Sequence, residues 1–204
     1  MGRRSYNQNC VLARTSDVIG ERWTVLLLRD LLISPRRYSD LLLSLKGIGT
    51  NLLASRLKDL QDSGLIEQRE GDDGTSRYAL TESGRALEPA LLALIRWGMI
   101  HGPENRPRDH HRHDWDLLAL KALFRDDLAD DLSIIVQFRS GDFEGWVLIE
   151  DRDIQIGTGQ NPNAQITING TVGDLFLGRK SLRELIAEGG DAASLDRFVS
   201  AFAG

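Results

Sequence analysis

Apolar residues recur along this chain with two different periods, and the place where the period changes is the first organising feature. Tyr38, Leu41, Leu42 and Leu45 fall at helical spacing on one short segment, and Leu53, Leu57 and Leu60 do so on the next. Lys46-Gly47-Ile48-Gly49 between them is a short, glycine-containing turn of the kind that joins two helices. After Gly64 the period shortens. Leu65-Ile66 begins a strand, Gly71-Asp72-Asp73-Gly74 supplies turn chemistry, and Tyr78-Ala79-Leu80 returns. The pattern predicts a helix-turn-helix followed by a hairpin wing. Leu87, Leu91, Leu94, Ile95 and Trp97 then predict a long helix, opened by Thr81 with Ser83-Gly84. Pro89 marks either a kink in it or a break between two helices.

A second folding pattern begins after Asp116. Leu117, Leu118, Leu120, Leu123 and Phe124 predict a helix, and the segments 133–138, 145–149, 153–156 and 164–168 read as strands. The pattern turns helical again over 172–177, 181–188 and 194–202. Strands in a block followed by helices give an α+β arrangement rather than alternating βαβ units. The expected fold class is therefore mainly α with a second α+β domain: an N-terminal winged helix-turn-helix and a C-terminal sheet covered by helices. The expected domains are 1–102 and 116–204, joined by a linker at 103–115. The linker sits in the proline-containing, highly charged stretch between His101 and Asp116.

A helix that reads DNA hides one face against its partner helix and shows the other to base edges. Leu53, Leu57 and Leu60 serve the hidden face, which leaves Thr50, Asn51, Ser55, Arg56 and Lys58 outside, with Arg56 near the boundary. Asn and Arg make bidentate contacts with adenine and guanine, each worth about 1–3 kcal/mol of discrimination. Thr50 is expected as the N-cap, bringing helix-start amides near a phosphate. Arg36, Arg37 and the wing residue Arg77 are expected on phosphates, where they set affinity and salt dependence rather than base choice.

Charge first argues against this reading, then supports it. The 204 residues carry a net −5, yet residues 1–103 hold 14 Lys/Arg against 12 Asp/Glu and residues 104–204 hold 11 against 18. The acidity lies in the second half, and the half expected to meet DNA is mildly basic. No apolar run reaches the ~20 residues needed to span a bilayer, and the amino terminus lacks the pattern of a secretory signal, so a cytoplasmic protein is expected.

Other chemistry is sparse. There is no glycine-rich phosphate loop and no nucleophile elbow, so no enzyme and no cofactor are expected. His101, His110, His111 and His113 lie close together with Asp109 and Asp114, but the stretch shows no helical register and no cysteine ligand. It reads as a solvated turn rather than a metal centre. Cys10 is the single cysteine, which excludes an internal disulfide and leaves either a packed thiol or a redox-active one.

Residues from Cys10 to about Gly102 resemble the HxlR family of bacterial winged-helix transcriptional regulators, relatives of the MarR group. The matching segments include Ile19-Gly20-Glu21-Arg22-Trp23-Thr24, Arg37-Tyr38-Ser39-Asp40-Leu41, Leu53-Ala54-Ser55-Arg56-Leu57 and Tyr78-Ala79-Leu80-Thr81. The resemblance implies a homodimer with its two recognition helices in successive major grooves of DNA. It implies a palindromic operator, and a dimer seam made by the first helix and the long helix after the wing. It also implies a redox role for a cysteine near Cys10. Residues 115–204 resemble the sterol carrier protein type-2-like domain, through the strand at Ala164–Ile168, Gly170-Thr171 and the segment Ala187–Asp191. That resemblance implies a pocket for a hydrophobic effector. Its expected lining is Ile135, Phe138, Trp146, Leu148, Ile166, Ile168, Leu175, Phe176, Leu185, Phe198 and Phe202, residues that would equally fill a plain core. The competing function is a lipid-binding or protein-interaction adaptor that has lost specific DNA binding.

Overall fold

The computed structural model describes residues 5–71, 73–103, 106, 108–176, 186–190 and 192–202. The chain forms two compact units, Met1–Leu91 and Leu92–Gly204.

In the first unit α1 (Val11–Ile19) and α2 (Thr24–Ile33) precede the predicted pair α3 (Tyr38–Ser44) and α4 (Thr50–Asp62). Leu27, Leu28 and Leu31 from α2, Leu41 from α3 and Leu53, Leu57 and Leu60 from α4 are all buried in one core with Ile66 and Leu80 of the wing. At about 25 cal/mol per Å², complete burial of each such leucine stabilises the fold by about 1.5–3 kcal/mol. Gly64, in the left-handed region at φ 69°, turns the chain out of α4. The wing is β1 (Ile66–Glu70) paired antiparallel with β2 (Ser76–Leu80), in register from Ile66 opposite Leu80 to Glu70 opposite Ser76. Backbone bonds between Arg36 and Tyr78, 2.7 and 3.0 Å long, add a one-residue bridge that ties the chain before α3 to the wing.

Pro89 resolves as a break. A short helix, α5 (Glu82–Arg85), is capped by the Thr81 hydroxyl, which accepts from the Gly84 amide at 3.1 Å. The next helix, α6 (Glu88–His101), begins one residue before the proline. Proline is tolerated there because first-turn N–H groups have no intrahelical partner to lose. Gly84 is buried so closely that a Cβ would stand 2.1 Å from the Leu65 carbonyl oxygen.

The second unit has α7 (His113–Leu123) and then a sheet built from β3 (Ile134–Ser140), β4 (Phe143–Glu150), β5 (Asp153–Thr158), β6 (Ile166–Asn169) and β7 (Ile186–Glu188). Its order is β5-β4-β3-β6-β7, antiparallel except for the parallel pair β3 and β6. Helices α8 (Val172–Phe176) and α9 (Ala192–Ser200) follow β6 and β7. The helical pattern expected over 181–188 is corrected at its end: Ile186–Glu188 is a strand, paired with Thr167 and Ile168. Residues 181–185 lie outside the described residues. Three residues carry too little period to specify their own state, and pairing to the sheet edge decides it.

Leu117, Leu120, Val136, Phe138, Val147, Ile149, Ile166, Ile168, Leu195 and Phe198 form the second core. Phe198 contacts Phe138 and Phe202 with ring centroids 6.4 and 5.1 Å apart. Helices α7 and α9 thus seal one face of the sheet.

Candidate nucleic-acid interface

The outer face of α4 follows from where its leucines go. Leu53, Leu57 and Leu60 are no more than 1% exposed. Asn51, Ser55 and Lys58 stand two residues earlier in each case, about 200° round the helix, and all three are exposed. Thr50 and Ala54 are exposed beside them. The polar stripe is therefore a consequence of the apolar one.

Two local devices position this helix. The Tyr38 hydroxyl donates to the Thr50 carbonyl at 2.8 Å, pinning the start of α3 to the start of α4. The Asp40 carboxylate accepts from the Arg37 amide at 3.0 Å, which closes the first turn of α3. The N-cap of α4 is Gly49, not Thr50, and among the described residues it has no side-chain cap bond. Thr50 already has helical dihedrals, so its hydroxyl is set too far into the first turn to cap it. Those amides remain oriented for an anion.

Arg56 has a different environment from the rest. Its side chain is 17% exposed and donates to Glu21 at 2.7 Å and to Asp59 at 3.0 Å. To reach a base it would have to leave two carboxylates. Leu52, which the hydrophobic pattern did not single out, is 38% exposed on the same helix. An apolar side chain there suits a thymine methyl; the signal was a leucine outside the 53-57-60 stripe.

At the wing tip Asp73 is the hub. It accepts from the Thr75 hydroxyl at 2.6 Å, the Thr75 amide at 3.1 Å and Arg77 at 2.8 Å, and it also bonds Arg37. The Thr75 hydroxyl and amide, followed by the Arg77 and Arg37 guanidiniums, hold its carboxyl far below the ordinary carboxylate range. Arg37 and Arg77, expected singly on phosphates, are thus gathered about one carboxylate. Arg36 is half-buried beside them on the backbone bridge. The turn at Gly71-Asp72-Asp73-Gly74 was legible, but the role of Asp73 as an arginine clamp was not.

A family model described as an HxlR-like helix-turn-helix matches residues 18–106. The uncharacterized HTH-type transcriptional regulator YkvN of Bacillus subtilis (strain 168) is 33% identical over 92 residues, which are 44% of this chain and 78% of that protein. The chain belongs to the HxlR family of helix-turn-helix transcriptional regulators. Another relative is the uncharacterized HTH-type transcriptional regulator Rv3095 of Mycobacterium tuberculosis (strain ATCC 25618 / H37Rv). It is 36% identical over 106 residues, 50% of this chain and 66% of that protein. The chain thus spans just under two thirds of the mycobacterial relative's length. The solved structure of the redox regulator HypR in its reduced form is 27% identical, with a TM-score of 0.42 over 45% of this chain and 92% of that one. Both the Bacillus and the mycobacterial relative are named transcriptional regulators, not enzymes. No helix among the described residues is long and apolar enough to cross a membrane.

In the second unit the strand register divides the residues expected around an effector. Phe138, Ile166, Ile168, Phe198 and Phe202 come together in the core, all but Phe202 fully buried. Ile135, Trp146 and Leu148 point to the opposite face of the sheet, because β3 and β4 alternate and Ile135 pairs with Leu148. All three are half-buried there. They share that face with Gln137, whose amide donates to the Gly145 and Gly159 carbonyls, both at 3.1 Å. The Trp146 ring covers Gly157 so tightly that a Cβ on the glycine would lie 2.3 Å from it. The side chains of Leu175 and Phe176, and all of Leu185, lie outside the described residues. Cys10, at the N-cap of α1, is exposed.

Proposed function

We propose that this chain is a homodimeric, sequence-specific transcriptional regulator that reads a palindromic operator with the outer face of α4. The observation that carries this is the opposition on α4 of a fully buried leucine stripe and an exposed Asn51, Ser55 and Lys58 stripe. Asn51 is assigned to a base edge, Ser55 and Lys58 to base or phosphate, and the uncapped amides at Thr50 to a phosphate. Arg36, Arg37 and Arg77 serve the backbone, with Asp73 holding the last two in readiness. Arg56 keeps α4 registered against Glu21 and reads a base only if those ion pairs open. Selection of bound genomic fragments by the purified protein, followed by titration of Asn51→Ala against operator variants, tests the assignment. Binding by Asn51→Ala that discriminates among the variants as well as wild type would refute it.

Dimerisation has its own support. On α1, Val11 and Leu12 are 72% and 73% exposed; on α6, Leu94, Trp97 and Ile100 are 54%, 59% and 75% exposed. Large apolar side chains grouped on helices in this way mark association surfaces. The domains are read as 1–102 and 116–204 with a linker at 103–115, in a cytoplasmic protein. The second is proposed to be a sterol-carrier-like domain that takes a hydrophobic effector. Its half-buried Ile135, Trp146 and Leu148 face is the better docking place, since Phe138, Phe198 and their neighbours are already filled by one another. An effector that favours one dimer arrangement would change operator affinity about 5–150-fold for a coupling of 1–3 kcal/mol. Native mass spectrometry for a co-purifying apolar molecule tests this. Loss of that molecule on Trp146→Ala supports the face named, and retention rejects it.

A further inference from the structure

The histidine-rich stretch before α7 looks unstructured as a sequence, but it acquires a register in the fold. His113 is the first residue of α7, and Asp116 lies one turn further on the same side. His111, two residues before the helix, folds back so that its Nε2 is 2.8 Å from Asp116 Oδ1. His113 Nδ1 faces the other oxygen, Oδ2, at 3.7 Å. One donor atom from each of the three side chains lies within 4.8 Å of the other two. Four-coordinate zinc with bonds of about 2.0–2.1 Å places its ligand atoms about 3.3 Å apart, close to the spacings found here.

Two further observations separate this cluster from an ordinary surface ion pair. His113 Nδ1 is withdrawn from solvent and has no hydrogen-bond partner among the described residues, since 3.7 Å to Asp116 is too long. A buried polar atom left in that state calls for an unseen ligand or ion. The ring is also held, tilted against Phe143 at 5.6 Å between centroids. The neighbouring groups are committed elsewhere. Asp114 takes both bonds of Arg112, at 2.9 and 2.8 Å. Asp109 bonds the Arg106 amide at 2.7 Å, His110 packs on Trp115, and His101 packs on Trp97. The cation of Arg112 is therefore neutralised and does not oppose a second cation nearby.

We infer that His111, His113 and Asp116 form a binding site for a divalent transition-metal ion of the zinc class. Two imidazole nitrogens and a carboxylate oxygen suit borderline ions such as Zn²⁺ and Co²⁺ rather than Ca²⁺ or Mg²⁺, which prefer oxygen alone. Each imidazole bonds through its lone pair, and the hydrogen bond from His111 to Asp116 is exchanged for two metal bonds. Three protein ligands leave a further position for water or an external donor. Binding fastens the stretch at His111 onto the first turn of α7.

The test uses the full chain, stripped of metal with a chelator and titrated with Co²⁺, then with Zn²⁺ as competitor. One Co²⁺ per chain, with the intense visible bands of a four- or five-coordinate ion and displacement by Zn²⁺, is expected. His111→Ala and Asp116→Asn should each weaken binding 10-fold or more, while Cys10→Ser and His101→Ala leave it unchanged. The His111 side chain is 57% exposed, so its removal leaves the fold intact, and circular dichroism verifies this. Weak, water-like Co²⁺ bands, or affinity unaffected by His111→Ala in a folded protein, would overturn the assignment.

Discussion

Helix α4 and the central strands β3 and β4 of the second unit divide their apolar residues differently. On α4 Leu53, Leu57 and Leu60 keep to one face, and apart from the partly exposed Leu52 the rest of the helix surface is mainly polar. On β3 and β4 one face is apolar, with Ile134, Val136, Phe138, Val147 and Ile149, while the other mixes Ile135, Trp146 and Leu148 with Gln137, Arg139, Glu144 and Glu150. A face that is polar because its opposite is buried announces a surface available to a ligand. A strand with large apolar residues on both sides does not say how deeply each side is buried until its partners are known.

The largest expected effects test burial on the two elements. Phe138→Ala should cost about 3–5 kcal/mol and Leu57→Ala about 2–5 kcal/mol in urea unfolding, whereas Ser55→Ala on the other side of α4 should stay within about 0.5 kcal/mol. Trp146→Ala should cost clearly less than Phe138→Ala. Equal losses for the two would mean that both sheet faces are core, and the contrast between the elements would vanish.

Next come the base contacts. Asn51→Ala should lose about 1–3 kcal/mol of discrimination at one operator position, 5- to 150-fold in competition binding, with an unaltered melting temperature. Tyr38→Phe removes the bond to the Thr50 carbonyl and should cost about 1 kcal/mol of stability. A change in operator preference without loss of stability would instead make Tyr38 a DNA contact.

The smallest effects belong to the wing. Replacing Arg77 should weaken binding to all sequences alike and reduce the salt slope by about 1. Asp73→Asn, which removes the charge competing with phosphate for Arg37 and Arg77, should steepen that slope. The Asp73 carboxyl is depressed in the folded state, so its stabilising contribution is complete above the ordinary carboxylate range. It is lost progressively as pH falls from the ordinary carboxylate range through the lower, folded value. An NMR titration should therefore show no inflection for Asp73 near pH 4; one found there would mean the clamp is open in solution.

What the sequence made legible follows the same contrast. The helix-turn-helix and the wing could be read because Leu53, Leu57 and Leu60 repeat cleanly and glycines punctuate them. Thr50 was misread as the cap because Gly49 and Thr50 differ there only in dihedral angles, which composition does not reveal. Arg56 stood at the boundary of the stripe, and Glu21, 35 residues away in sequence, holds it together with Asp59. In the second unit β3 to β6 were legible but β7 was read as helix, and the faces of the strands were not legible, since parity depends on register with a neighbour. The His111, His113 and Asp116 grouping was hidden for a related reason: where α7 begins determines which carboxylate lies one turn from His113.

The most direct test of the central claim is a salt-dependent binding titration of the double variant Asn51→Ala, Lys58→Ala against a selected operator and a scrambled duplex. The account predicts that the operator's advantage over the scrambled duplex collapses and the salt slope falls by about 1, with thermal stability retained. Undiminished preference for the operator at an unchanged slope would contradict it, because the exposed face of α4 would then not be the surface that meets DNA.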